Sequence, residues 1–161
     1  MDLNELYKAK NSNNNQLIED KIQLVSFIIG YEEFGINILH VQEIIKLIHI
    51  TRVPNAEEYI AGVINLRGKV IPVMNMRKRM EMEEKEYNSD MRIIVVEVNK
   101  IVLGFIVDSV NEVIRIDRNT LEETPKSYNS RVFDFVNNIA KLNDRLIILI
   151  DLEKLISDYN H

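Results

Sequence analysis

The chain contains no cysteine among its 161 residues. This absence excludes disulfide frameworks, zinc ribbons, iron–sulfur clusters and catalysis by a thiol. The five glycines never come three to a motif, so the sequence holds no glycine-rich phosphate loop. No uncharged apolar run approaches the roughly 18 residues of a membrane span, and residues 1–10 lack the apolar core of a signal peptide. We therefore expect a cytoplasmic protein with no direct membrane insertion.

Acidic residues outnumber basic ones by 25 to 20, which gives a formal charge of −5 and argues against nucleic-acid binding. His40 and His49 lie nine residues apart, His161 is far from both, and no cysteine is present to join them, so the histidines do not predict a metal site. The serines lack the motif of an activated nucleophile, and the acidic cluster at 81–86 is typical of a solvated linker. The sequence thus predicts no catalytic residue, no metal site and no cofactor, and a protein that is not an enzyme.

Short runs rich in Ile, Val, Leu and Phe favour strands over helices and predict a mostly-β protein. The candidate strands are 22–29, 34–39, 44–51, 60–66, 69–76, 92–98, 101–107, 110–116, 135–142 and 145–150. Two short helices are expected, one capped by Asn55 after Pro54 and one that begins near Asp151. The polar run at 11–16 predicts a flexible N-terminal arm over 1–21.

An internal repeat appears at two offsets. A shift of 69 residues places Gly35 on Gly104, and a shift of 76 places Ile71 on Ile147. The difference of 7 predicts an insertion in the second copy, and the polar segment 117–131 has room for it.

The repeat divides one domain, 22–157, into two similar lobes of five strands each. Lobe one is expected over about 22–85 and lobe two over about 90–157. Whether a strand is exchanged between the lobes stays open, because strand pairing cannot be read from the sequence. Each lobe is expected to curl into a small barrel, because an open sheet of this size would leave its edges exposed. A lobe of roughly 65 residues is marginal alone, so we expect the two to share an apolar seam with a groove beside it.

Two apolar strands flank Arg67-Gly68 and predict a hairpin in which Gly68 adopts a positive φ. Arg67 then lies at an exposed tip. The second copy has Asn143-Asp144 there, which keeps the turn chemistry without the charge. From the residues alone, Arg67 either solubilises the turn or reaches for a partner.

Three motifs carry a family resemblance: Val41-Gln42-Glu43-Ile44, the run from Tyr59 to Gly68 that ends in Asn-Leu-Arg-Gly, and Val110-Asn111-Glu112-Val113. In these motifs the chain resembles the CheW family of chemotaxis coupling proteins, and the likeness covers roughly 22–157. The sequence departs from the family pattern at Asn75 and Asn138, where Asp and Gly are common.

The resemblance implies two SH3-like five-stranded β-barrels with short helices, and a non-catalytic signalling adaptor. Such adaptors couple the cytoplasmic tips of chemoreceptors to the regulatory domain of the histidine kinase CheA, in receptor arrays at the inner face of the membrane. The receptor-binding residues that the resemblance implies are Val41, Glu43, Ile44, Gly62, Asn65 and Arg67. For Glu43 a structural role stays open, because Glu112 repeats it in the second copy. No residue is assigned to kinase binding.

Two alternatives stay open at this point. One is a CheW-like coupler of a kinase pathway other than chemotaxis. The other is a small-molecule-binding β-barrel protein with its pocket at the seam. A closed cavity of several hundred Å³ at the seam would favour this alternative.

Overall fold

The computed structural model describes residues 3–14, 20–124 and 134–157, and these residues form a mostly-β protein. The elements are α1 (Leu3–Asn14), β1 (Lys21–Ile29), β2 (Glu32–Asn37), β3 (Val41–Lys46), β4 (Ile60–Leu66), β5 (Lys69–Asn75), α2 (Met76–Arg79), β6 (Arg92–Val98), β7 (Ile101–Val107), β8 (Ser109–Asp117), β9 (Glu122–Glu123), β10 (Val136–Leu142), β11 (Arg145–Ile150) and α3 (Leu152–Ser157). Every predicted strand has a counterpart, but the strand expected over 44–51 lies at Val41–Lys46 instead, and the two-residue strand β9 is an addition.

The strands form two sheets, in the orders β3-β6-β7-β5-β4 and β8-β1-β2-β11-β10-β9. We call the first sheet with α2 lobe one, and the second sheet lobe two. The lobes are not consecutive halves of the chain, because the β1–β2 hairpin pairs in lobe two and the β6–β7 hairpin pairs in lobe one. The expected boundaries, 22–85 and 90–157, are therefore wrong: each copy of the repeat contributes its first hairpin to the other lobe.

The repeat itself is confirmed by the strand registers. Ser26 pairs with Gly35 on the β1–β2 hairpin, and Val95 pairs with Gly104 on the β6–β7 hairpin. Strand β4 is bulged between Ile60 and Gly62, and β10 is bulged at the matching place. Much of the predicted insertion lies outside the described residues, which omit 125–133.

The predicted apolar seam is present as the largest cluster of buried side chains. Both sheets contribute to it, and Phe27, Phe34 and Phe105 lie at its centre with ring centroids 5.9 and 5.6 Å apart. Smaller clusters fill the interior of each lobe, around Ile93 in lobe one and Leu24 in lobe two. Alternate residues of β1 and β6 therefore face the seam and the lobe interior, as the two-residue period of a strand requires.

The N-terminal segment is not a free arm where the structure describes it. Residues 3–14 form helix α1, in which Leu6 is 3% exposed and packs into the seam cluster with Ala9 beside it. The expectation of a flexible arm is wrong for these residues, because Leu6 and Ala9 lie three apart and form a small apolar stripe on one helix face. Residues 15–19 lie outside the described residues.

The helix expected after Pro54 is also wrong. Asn55 has a φ of 63°, whereas an N-cap residue has extended backbone, and the exposed segment 51–58 offers no apolar face to bury. A one-turn helix, α2, follows β5 instead, and the side chain of Asn75 accepts a hydrogen bond from the Lys78 N–H at its start. The predicted terminal helix is present as α3.

Candidate functional site

Arg67 and Glu43 form a two-pronged ion pair on the surface of lobe one. One terminal nitrogen of the guanidinium donates to Glu43 Oε2 at 2.7 Å, and the other donates to Oε1. The Arg67 side chain is 69% exposed, whereas the Glu43 side chain is 13% exposed. The hydrogen bonds to Glu43 raise the pKa of Arg67 above its usual value. The carboxylate thus anchors a cation whose outer face remains open to solvent.

The same pair shows how the sheet of lobe one closes. Glu43 lies on β3, while Arg67 lies between β4 and β5, at the opposite side of the strand order. In a flat sheet, β3 and β5 would be roughly 14 Å apart, which is three strand spacings. A hydrogen-bonded contact between them requires the sheet to curl, in agreement with the barrel prediction. The ion pair lies where the curled sheet meets itself.

The turn that carries Arg67 has an unusual backbone. Arg67 has a φ of 54° and Gly68 a φ of 82°, the left-handed pair typical of a type I′ hairpin turn. Asn65 supports the turn, because its Oδ1 accepts a hydrogen bond from the Gly68 N–H at 3.0 Å. A left-handed conformation costs a residue with a side chain about 1–2 kcal/mol. Here that conformation aims the guanidinium across the lobe towards Glu43.

The six residues that the resemblance implies fall into two groups. Asn65 and Arg67 are exposed, and Glu43 and Ile44 are half-buried beside them. Val41 is wholly buried in the seam cluster.

Gly62 is buried too, and its φ is 151°. A Cβ on Gly62 would lie 2.2 Å from the Thr51 carbonyl oxygen, so the glycine allows segment 50–51 to pass directly over β4. Val41 and Gly62 therefore shape the site from beneath, whereas the other four residues are accessible to a partner.

A groove of about 350 Å³ runs between the lobes, and Ile44 is the one member of the six residues that lines it. Ile44 on β3 lines it from lobe one, and Ile28 and Val110 line it from lobe two. Its remaining lining residues are Gly30, Lys85, Asp90, Arg92, Asp108 and Ser109. Sequence reasoning placed a groove at the seam but did not identify Ile28 or Val110 as its walls. The repeat could have indicated Val110, because Val110 matches the predicted site residue Val41 at the offset of 69.

Lobe two has its own glutamate–arginine contact, in which Glu112 matches Glu43 but Arg145 matches Lys69 rather than Arg67. Arg145 donates to Glu112 at 2.6 Å and through Nε to Glu33 Oε1 at 3.0 Å, with a second bond to Glu33. The hydrogen bond from Arg145 is the main cause that lowers the pKa of Glu33, and burial opposes it. The repeated glutamate thus serves lobe closure in both copies. Only lobe one holds its arginine at the tip of the turn, with the larger part of the side chain exposed.

Lobe two also has a larger and more apolar cleft, with a volume of about 520 Å³. Tyr31 and Leu146, which are both largely exposed, line it together with Ile139 and Ile148. Within 3–14, 20–124 and 134–157, no group of three or more His, Asp or Glu is placed to hold a metal ion. None of the described helices is long and apolar enough to cross a membrane.

Comparison with known proteins gives consistent results. A family model described as a CheW-like domain matches residues 23–160. The chemotaxis protein CheW of Helicobacter pylori is 36% identical over 138 residues, which cover 86% of this chain and 83% of that protein. The chemotaxis protein CheW of Bacillus subtilis is 36% identical over 129 residues, 80% of this chain and 83% of that one. The crystal structure of the scaffolding protein TtCheW from Thermoanaerobacter tengcongensis aligns with a TM-score of 0.75 and 41% identity, covering 80% of this chain and 88% of its own.

Proposed function

The chain belongs to the CheW-like family, and we propose that it is a non-catalytic adaptor coupling chemoreceptors to the histidine kinase CheA in bacterial chemotaxis. Relatives that it matches over most of their length carry the name chemotaxis protein CheW. The observation that carries the proposal is an exposed arginine held in place by Glu43, whose neighbour on β3, Ile44, lines an open groove between the two lobes. The adaptor would work in the cytoplasm, at receptor arrays on the inner face of the membrane.

The receptor tip would bind along β3 and the Arg67 turn. Asn65 and Arg67 offer polar contacts, and Ile44 offers an apolar one at the edge of the groove. Because Glu43 already holds the guanidinium, less side-chain entropy is lost when a partner binds it. A planar guanidinium suits the carboxylate and amide groups on a helical receptor tip.

The regulatory domain of CheA would bind elsewhere, and we place it at the apolar cleft of lobe two. Tyr31 and Leu146 expose large apolar surfaces there, which are typical of protein contacts. An adaptor needs two separate faces, and this cleft and the Arg67 turn lie on different lobes.

The alternative of a small-molecule carrier has less support. Aromatic side chains fill the seam where its pocket would lie, and the groove beside the seam is lined by charged residues such as Lys85, Asp90 and Arg92. A coupler of a different kinase pathway would use the same two faces. Identification of the kinase and receptor that bind the protein in its own cell would distinguish a chemotaxis coupler from a coupler of another pathway.

The substitution Arg67→Glu tests the receptor face. We expect affinity for a soluble receptor-tip fragment to fall at least about tenfold, since arginine is enriched among binding hot spots. Binding of the CheA regulatory domain should be unchanged. The melting temperature should fall by a few degrees, because Glu43, which is 13% exposed, loses its partner, but the protein should stay folded because the Arg67 side chain itself is 69% exposed.

Arg118→Glu is the matched control, since it breaks another exposed pair, with Asp20, in lobe two. It should leave binding of both partners unchanged. If Arg67→Glu leaves receptor binding intact, or weakens it no more than Arg118→Glu does, the assignment of the receptor face is wrong.

A further inference from the structure

Asp108 occupies the point where the chain crosses from lobe one to lobe two, between β7 and β8. Its backbone N–H donates to the Ile28 carbonyl oxygen at 2.9 Å, and its Oδ2 accepts from the Gly30 N–H at 2.8 Å. Both partners belong to the β1–β2 hairpin. The crossover is therefore tied to lobe two through main chain and side chain together.

Arg77 ties the same carboxylate to lobe one. It lies on α2, and its Nε donates to Asp108 Oδ1 at 3.0 Å while a terminal nitrogen donates to Oδ2. Its other terminal nitrogen donates to the Glu83 carbonyl oxygen at 2.8 Å. The two side chains are 16% and 11% exposed, so water competes weakly with the pair.

The ionised form of Asp108 is favoured in this setting. Burial raises the pKa of the carboxyl group, but the hydrogen bonds from Arg77 and Gly30 outweigh it and leave the pKa below its usual value. The hydrogen bond to Asp108 raises the pKa of Arg77. A two-pronged arginine–carboxylate contact fixes geometry as well as charge.

Among the residues that the structure describes, this ionic contact joins the lobes at one of the two crossovers. At the other crossover, from β2 to β3, Leu39 matches Asp108 at the offset of 69, and its side chain is 56% exposed. The Leu39 N–H donates locally to the Asn37 side chain at 3.0 Å. The β7–β8 crossover thus has an ion pair between the lobes, whereas the β2–β3 crossover has an exposed leucine in the matching position.

The crossover that holds this ion pair also lines the interlobe groove. Asp108 and Gly30 line it together with Ile44 of lobe one and Val110 of lobe two. We propose that Arg77 and Asp108 are positioning residues that fix the angle between the lobes at this crossover, and thereby the width of the interlobe groove. The proposal rests on the function proposed above in naming the receptor tip as the groove's ligand.

Spin labels on exposed hairpin turns of the two lobes measure the angle directly. The chain has no cysteine, so Lys100→Cys and Asp144→Cys provide two unique attachment sites, in lobe one and lobe two respectively. The distance distribution between the labels is recorded for the parent protein, for Arg77→Gln, for Arg77→Lys and for Arg118→Gln. The last variant is a control that breaks an arginine–aspartate pair within lobe two.

We expect Arg77→Gln to shift or broaden the distance distribution. Arg77→Lys, which keeps the charge but loses the two-pronged contact, should have a smaller effect, and Arg118→Gln should have none. Affinity for the receptor-tip fragment should fall about fivefold or more with Arg77→Gln, while affinity for the CheA regulatory domain stays the same. If Arg77→Gln does not fold, the distribution of Arg77→Lys decides the matter alone.

An unchanged distance distribution in every folded Arg77 variant overturns the proposal. Equal losses of receptor and kinase binding, with an unchanged distribution and a lower melting temperature, would mean that the pair only stabilises the fold. If the parent protein binds no receptor fragment, the proposed function fails, whereas the label distances still test whether the pair sets the lobe angle.

Discussion

Gly62 and Gly68 lie six residues apart on one hairpin, yet the structure gives them different tasks. Gly62 lets the backbone of Thr51 pass within 2.2 Å of the place where a Cβ would be, whereas a Cβ on Gly68 would meet nothing within 4 Å. Both have a positive φ. The hairpin thus depends on Gly62 for space and on Gly68 for conformation only.

We predict that Gly62→Ala destabilises the protein more than Gly68→Ala does. Gly68→Ala should cost about 1 kcal/mol, from the left-handed backbone alone. Gly62→Ala should cost about 4 kcal/mol, because strand β4 and segment 50–51 must move apart to admit the methyl group. A loss of that size is exceptional for a single substitution and indicates a steric clash of this kind. Denaturant unfolding of both variants measures the difference. Equal losses would show that segment 50–51 moves aside easily.

At the scale of secondary-structure elements, the internal repeat predicts one of the short helices that the local sequence pattern does not. The terminal helix was predicted from Asp151, and Asp151 accepts a hydrogen bond from the Lys154 N–H at 3.2 Å. Asn75 occupies the matching place and caps α2 in the same way. The offset of 76 therefore indicated the second helix, whereas the local reading of Pro54-Asn55 indicated the wrong one. Short helices depend on caps and packing, which a local pattern represents poorly.

Lobe membership could not be predicted from the strands. Ser26 pairs with Gly35 nearby and with Glu112 far along the chain, and only the second pairing decides which lobe holds β1. Adjacent hairpins with the same alternation fit either lobe equally well. The site residues show the same division: the turn chemistry predicted the exposure of Arg67, but nothing local predicted its partner on β3.

Helix α1 was missed because its sequence is polar apart from a narrow stripe. We predict that Leu6→Ala destabilises the protein by about 2 kcal/mol, since Leu6 is fully buried in the seam cluster. For a chain of this size, that loss lowers the melting temperature by roughly 4–8 °C. Tyr7→Ala is the matched control, because Tyr7 is 66% exposed on the same helix. Equal melting temperatures for both variants would mean that α1 contributes nothing to the fold.

The exposed apolar residues of the two lobes allow a paired test of the kinase face. Val70 on β5 and Leu146 on β11 match at the offset of 76 and are 70% and 58% exposed, but Leu146 alone lines the cleft of lobe two. We predict that Leu146→Glu weakens binding of the CheA regulatory domain about tenfold. Val70→Glu should have a smaller effect. Titration of the kinase domain gives the ranking, and the reverse ranking would move the kinase face to lobe one.

For the whole molecule, the seam determines how the two faces act together. The hairpins exchanged between the copies make each lobe depend on both halves of the chain, and the largest apolar cluster lies between the lobes. The proposed receptor face on lobe one and the cleft on lobe two are therefore joined through one continuous apolar core. Binding of a partner at one face can thus affect the other face through packing alone, without any catalytic step.

Kinase activity under receptor control tests the central claim most directly. CheA autophosphorylation is measured with membranes that contain the receptor, with and without this protein, and before and after a chemoeffector is added. We predict that receptor-dependent control of the kinase appears only when the protein is present and is lost with Arg67→Glu. Receptor control that is equally strong without the protein, or absent with it although both partners bind, would contradict the account.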